Sequence, residues 1–141
     1  MTSAAPAGGR RRRSRELVLR VLFELEGTQK DATTVIEYQA LEMRAPVDVI
    51  AFAQRIVLGY LRATDQVDAV LAGALEHWDL ADLGKVERAV LRLGAYELLH
   101  ENQTPVAVVI NESVELAKSY AGEDAGPFVN GVLGTVASQR V

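Results

Sequence analysis

KVERAVLRLGAYELLH, Lys85–His100, carries Val86, Ala89, Val90, Leu91, Leu93, Ala95, Tyr96, Leu98 and Leu99 around most of a helical circumference. A helix with so narrow a polar strip must be wrapped by other elements, because no single neighbour covers all its apolar sides. This segment is therefore read as the central helix of the fold. The turn-like DLADLG (79–84) precedes it, and the polar Asn102-Gln103-Thr104-Pro105 connection follows.

Beyond that connection, VAVVI (106–110) has the β-branched content of a short strand. However, Ile110, Ser113, Val114, Ala117 and Tyr120 keep helical spacing, and Asn111 and Glu112 suit a strand poorly. A sixth helix is predicted, stopped by Gly122, and Pro127 opens a seventh with Phe128, Val129, Val132, Leu133 and Val136. On the N-terminal side, Asp65 is placed as the cap of a fourth helix bearing Val67, Val70, Leu71, Ala74 and Leu75. Pro46 starts a third with Val49, Ala53, Ile56, Val57, Tyr60 and Leu61, and Asp31 caps a short second that ends at Ala45-Pro46. Ser14 is read as the cap of the first, whose stripe is Leu17, Val18, Val21, Leu22 and Leu25 before Gly27. MTSAAPAGG (1–9) has no apolar period and is expected to be disordered. The organisation predicted is a flexible basic arm over 1–13 and a single all-α domain over 14–141, a globular bundle of about seven helices.

The 141 residues suit one domain of ordinary size, and 49% hydrophobic with 24% charged residues is the balance of a chain that folds. The absence of cysteine excludes disulfides, thiolate metal sites and cysteine nucleophiles, and fits a reducing, cytoplasmic setting. No apolar run approaches the length of a membrane span, and the basic N-terminus leads into an amphipathic helix, not a signal core.

Catalytic patterns are missing. His77 and His100 are the only histidines and match no metal-binding spacing. Glu112 and Glu115 share a helix face as an acid/base pair would, but with Lys118 three residues on they read as an ion-paired surface. The glycines of GEDAGPFVNGVLG (122–134) match no phosphate-binding loop. No enzyme, metal or cofactor is expected.

Charge carries more information. Arg10, Arg11, Arg12, Arg13 and Arg15 place five of fifteen basic residues within six positions, while the chain from Glu16 onward holds ten basic against nineteen acidic residues. A basic arm on an acidic body directs a polyanion to one place. Continued as a helix, Arg12, Arg15, Leu19 and Phe23 form a line at i+3 and i+4, leading guanidinium groups toward an aromatic ring. Phosphates take arginine and unstacked bases take a planar platform, so the line suits single-stranded nucleic acid. Its structural alternative is a second packing surface with solvated arginines. Phe128, at the start of the last helix, is a second candidate platform, and Asp124 just before it reads as a cap.

RRRSRELVLRVLFELE (11–26), LGKVERAVLRLGAYELL (83–99) and VVINESVELAKSYAGEDAGPFVNGVLG (108–134), in this order, resemble the NusB family of bacterial transcription antitermination factors. Residues 28–80 carry no distinguishing feature. The resemblance implies an all-α fold of two small helical subdomains. It also implies binding of the boxA RNA of ribosomal RNA leaders together with NusE, a small-subunit ribosomal protein, so that RNA polymerase reads through terminators. By the same resemblance Arg11, Arg12, Arg13, Arg15 and Phe23 would meet RNA, Asp124 and Phe128 would lie near its path, and Glu87 would face NusE. Family members commonly carry Tyr where this chain has Phe23, which removes a hydroxyl and keeps the ring. Gly126-Pro127 likewise stands where longer polar or basic side chains are usual. Two other readings are an RNA-targeting module of a ribosomal RNA modification or assembly factor and a helical DNA-binding regulator. The first lacks a methyl-donor domain here, and the second lacks a basic recognition helix, since Lys85–Arg92 carries Glu87 and is mostly apolar.

Overall fold

The computed structural model describes residues 7–139, which form seven helices: α1 (Ala7–Leu25), α2 (Ala32–Met43), α3 (Val47–Arg62), α4 (Thr64–Ala74), α5 (Lys85–His100), α6 (Val106–Ala121) and α7 (Ala125–Gln139). A short 3-10 turn, Leu80–Asp82, precedes α5, and there is no strand among the described residues. VAVVI is helical, as its spacing predicts.

Local chemistry explains most boundaries. Asp31 caps α2, its carboxylate accepting the Thr34 backbone N–H at 3.0 Å. The helix ends at Arg44 in the left-handed region, φ 51°, just before Ala45-Pro46. Gly122, at φ 108°, closes α6 in a conformation that a side chain rarely adopts.

Two helix starts depart from expectation. Helix α1 begins at Ala7, so Ser14 lies in its second turn and does not cap it. The Ser14 side chain is fully buried, and its hydroxyl donates to the carbonyls of Arg10 and Val49, both at 3.2 Å. The stretch 7–13, expected to be flexible, is helical. Residues 1–6 of the expected arm lie outside the described residues. Asp65 falls inside the first turn of α4, which is capped by Ala63 without a side-chain hydrogen bond. There the carboxylate acts on the positive end of the helix dipole.

The chain divides into two compact units at Leu58/Gly59, within α3. In the first, α1 packs on α2, and Leu17, Val18, Val21, Val35, Ile36, Val49, Ala53 and Ile56 form the interior. In the second, α5 contacts α4, α6 and α7, which accounts for its all-round apolar surface. Val90, Leu91, Leu93 and Leu98 are buried there with Leu71, Val109, Leu116, Val129 and Leu133. A polar cluster lies at the margin of this core. Arg92 donates to both oxygens of Asp68 at 3.1 Å, and the Tyr60 hydroxyl donates to Asp68 at 3.2 Å. Burial is the main cause that raises the Tyr60 pKa above its ordinary value, with the Asp68 charge adding to it against Arg92.

Candidate nucleic-acid interface

The arginine run is distributed around α1 by helical geometry. Arg12 is exposed. Arg11 is half-exposed and lays its guanidinium over the Phe52 ring, 4.0 Å from the centroid. Arg15 is only 2% exposed and approaches the same ring at 5.7 Å, and Arg55 approaches it at 4.9 Å. The ring itself is 6% exposed, so a negative aromatic face is covered by three cations. Arg13 is half-buried, and its Nη2 donates to the Met43 carbonyl at 2.5 Å, which holds the end of α2 against α1.

Arg10 uses Nη1 to reach both carboxylate oxygens of Asp48 at 2.9 Å. Asp48 sits in the first turn of α3. Partial desolvation opposes its charge, but the hydrogen bond and charge of Arg10 and the backbone N–H groups of Asp48 and Val49 outweigh that effect. Its pKa is therefore below the usual aspartate value.

The predicted line of Arg12, Arg15, Leu19 and Phe23 is thus exposed at its two ends and buried at Arg15 and Leu19 between them. Phe23 is 40% exposed, about 16 Å along the helix from Arg12. Arg20, exposed at i−3 from Phe23, belongs to the same face and was not singled out from the sequence, although its spacing to the ring was visible there. For Phe52 only Arg55, at i+3 on α3, was visible in the sequence, because Arg11 and Arg15 lie on another helix. At the far end of α1, Glu24 accepts from Gln39 at 2.7 Å and from Lys30 at 3.0 Å. Those two contacts, Gln39 foremost, lower its pKa.

In the second unit, Asp124 is exposed directly before α7, and Phe128 is half-buried in that helix's first turn. Beside them a groove of about 740 Å³ is lined by Ile110, Asn111, Val114, Lys118, Pro127 and Asn130. The Lys118 stem lies on Gly126, where an added methyl would press on its methylenes at 3.0 Å. The lysine head pairs with Glu115 at 3.4 Å, at the i+3 spacing the sequence suggested, and with Glu123 at 3.8 Å.

Glu87 is half-buried at the third position of α5, and its carboxylate lies against the cap residue Gly84, where a side chain would collide with it. An acidic residue at this position typically turns back toward the cap of its own helix. The structure thus gathers Arg11 and Arg15 on Phe52, and Asp124 with Phe128 at the start of α7. It leaves Arg12 and Phe23 outward and Glu87 folded onto its own helix.

Comparison with known proteins gives this arrangement a context. The NusB protein of Lysinibacillus sphaericus, a transcription antitermination protein, is 42% identical over 131 residues, 93% of this chain and 99% of that protein. The crystal structure of T. maritima NusB is similar with a TM-score of 0.86 and 34% identity, covering 98% of this chain and 94% of that one. A structure of the antitermination factors NusB and NusE in complex with double-stranded RNA matches with a TM-score of 0.85 and 28% identity, over 92% of this chain and 97% of that one. The NusB family model itself spans residues 12–138, from the arginine run through the last helix, and the chain belongs to the NusB family.

Proposed function

We propose that this protein is an RNA-binding transcription antitermination factor that takes boxA-type RNA of ribosomal RNA leaders together with NusE and helps RNA polymerase read through terminators. The observation that carries the reading is the outward face of α1. Arg12 and Arg20 stand exposed with the Phe23 ring, in a chain whose fold matches the NusB of an RNA-bound NusB–NusE structure. Arg12 contacts phosphate, with Arg11 and Arg13 reaching it as they exchange partners, and Phe23 stacks on a base. Arg15, being buried, supports the surface through Phe52 from below. Asp124 and Phe128 contribute at the start of α7, and Glu87 faces the ribosomal protein.

The role involves no catalytic step and no cofactor. His77 is exposed in a loop, and His100 stacks on Tyr96 with centroids 4.8 Å apart and shares a hydrogen bond of 2.7 Å with Gln66. No helix of the described residues is long and apolar enough to cross a membrane. The proposed role beside RNA polymerase is a cytoplasmic one. Fluorescence anisotropy tests the reading with boxA-like RNA, scrambled RNA and duplex DNA, each with and without NusE. The expected order is boxA RNA with NusE tightest. Equal binding of all three nucleic acids, unaffected by NusE, overturns it.

A further inference from the structure

We infer that Arg10 is an additional phosphate contact held in reserve by Asp48, whose carboxylate occupies the place of the nucleic-acid phosphate until the strand arrives. The inference rests on the RNA-binding reading above and adds to it a residue and an affinity-setting device.

Three observations support it. First, Arg10 and Asp48 are both at the surface, with side chains 34% and 51% exposed, so the pair is reachable from solvent. Second, Arg10 already holds an anion, with one guanidinium nitrogen 2.9 Å from each of two oxygens of a single carboxylate. Third, Asp48 sits in the first turn of α3. When Arg10 leaves, the carboxylate remains close to the positive helix end. Exposed ion pairs are weak, so a phosphodiester competes for Arg10 at little loss.

Position decides how the contact is made. At 100° per residue Arg10 projects on the Arg13 side of α1, away from Arg12 and Phe23. A strand that follows the Arg12 to Phe23 face reaches Arg10 by crossing the N-terminal end of α1, where the positive end of the helix dipole also favours anions. The neighbouring arginines hold different partners. Arg13 is tied to the Met43 carbonyl, and Arg11 lies on Phe52. Only Arg10 among these three is held by an anionic side chain of the described residues, and Asp48 thereby sets a threshold that a passing polyanion must exceed.

The test compares the full chain with Arg10→Ala, Arg10→Lys, Asp48→Asn and the Arg10→Ala/Asp48→Asn double variant. Binding of fluorescently labelled boxA-like RNA is measured across a salt series, and thermal melts verify folding. Asp48→Asn should tighten binding by up to about fivefold at low salt, the ceiling set by an exposed pair. Arg10→Ala should weaken binding and flatten the slope of log affinity against log salt by about 0.7, the loss of one single-strand phosphate contact. Arg10→Lys should restore the slope, and the gain from Asp48→Asn should shrink when Arg10 is absent.

An unchanged slope in Arg10→Ala, or an equal Asp48→Asn gain with and without Arg10, overturns the inference while leaving RNA binding intact. A parent chain that binds no RNA at any salt overturns both. A role confined to holding α1 on α3 would lower the melting temperature without moving the slope, and so counts against it.

Discussion

Phe23 and Phe52 are chemically identical and lie in the same unit, yet burial assigns them opposite roles. The Phe52 ring is enclosed by Arg11, Arg15 and Arg55, whereas Phe23 faces outward. Phe52→Ala should therefore destabilise the fold by about 3–5 kcal/mol and loosen Arg11 and Arg15 together. Phe23→Ala should melt close to the parent and lose about 1–3 kcal/mol of RNA affinity at every salt concentration. Calorimetry and anisotropy on both variants check this. If Phe23→Ala melts far below the parent but binds normally when folded, the ring belongs to the core. Arg12→Ala should flatten the salt slope by about 0.7 with little change in melting temperature. Arg13→Ala should lower both, because Arg13 also holds the Met43 carbonyl.

Helices α5 and α6 were legible in the sequence because each pattern has one physical solution. The apolar circumference of Lys85–His100 demands neighbours on several sides, and the Asp31 and Gly122 boundaries follow from capping and positive-φ chemistry. The start of α1 was not legible. Gly8-Gly9 disfavours helix locally, and what supports the helix beyond it is tertiary, with Ser14 buried against Val49. The same reason hid Phe52 from the site, since Arg11 and Arg15 reach its ring from another helix. Glycines inside helices carry a prediction of their own. A methyl at Gly94 would stand 2.6 Å from Leu133 Cδ1 and 2.8 Å from Ser113 Oγ, so Gly94→Ala should destabilise by about 1–3 kcal/mol. Gly131, in α7 with open space around it, should tolerate Ala with a gain of about 0.5–1 kcal/mol. Chemical denaturation of the two variants should move the midpoint in opposite directions.

Across the whole molecule, an acidic chain of net charge −4 concentrates its arginines on one helix and leaves most of its carboxylates elsewhere. That asymmetry is legible without coordinates; which arginines face outward is not, because burial sets it. Asp48 and Glu24 both have pKa values below those of free side chains, 3.8 and 4.5. Groups of this kind bind protons more weakly folded than unfolded, so their stabilisation is complete above about pH 5 and is lost as pH falls through the lowered folded values. The gap in melting temperature between the parent and Asp48→Asn should accordingly be present at neutral pH and shrink as pH falls below 3.8, as scanning calorimetry over a pH series would show.

Ser14 lies fully buried in the middle of the arginine run, with its hydroxyl on carbonyls of both α1 and α3. Binding surface and packing surface are thus interleaved residue by residue on a single helix, and a genetic selection for loss of RNA binding cannot separate them. Such a selection should return Ser14→Leu as readily as Arg12→Ala, and the two alleles should differ in kind. The arginine allele should be defective at every growth temperature and suppressed by low salt in vitro. The serine allele, which wedges α1 from α3 and displaces Arg10 from Asp48, should be conditional and suppressed by cooling or by second changes that enlarge the pocket around Val49.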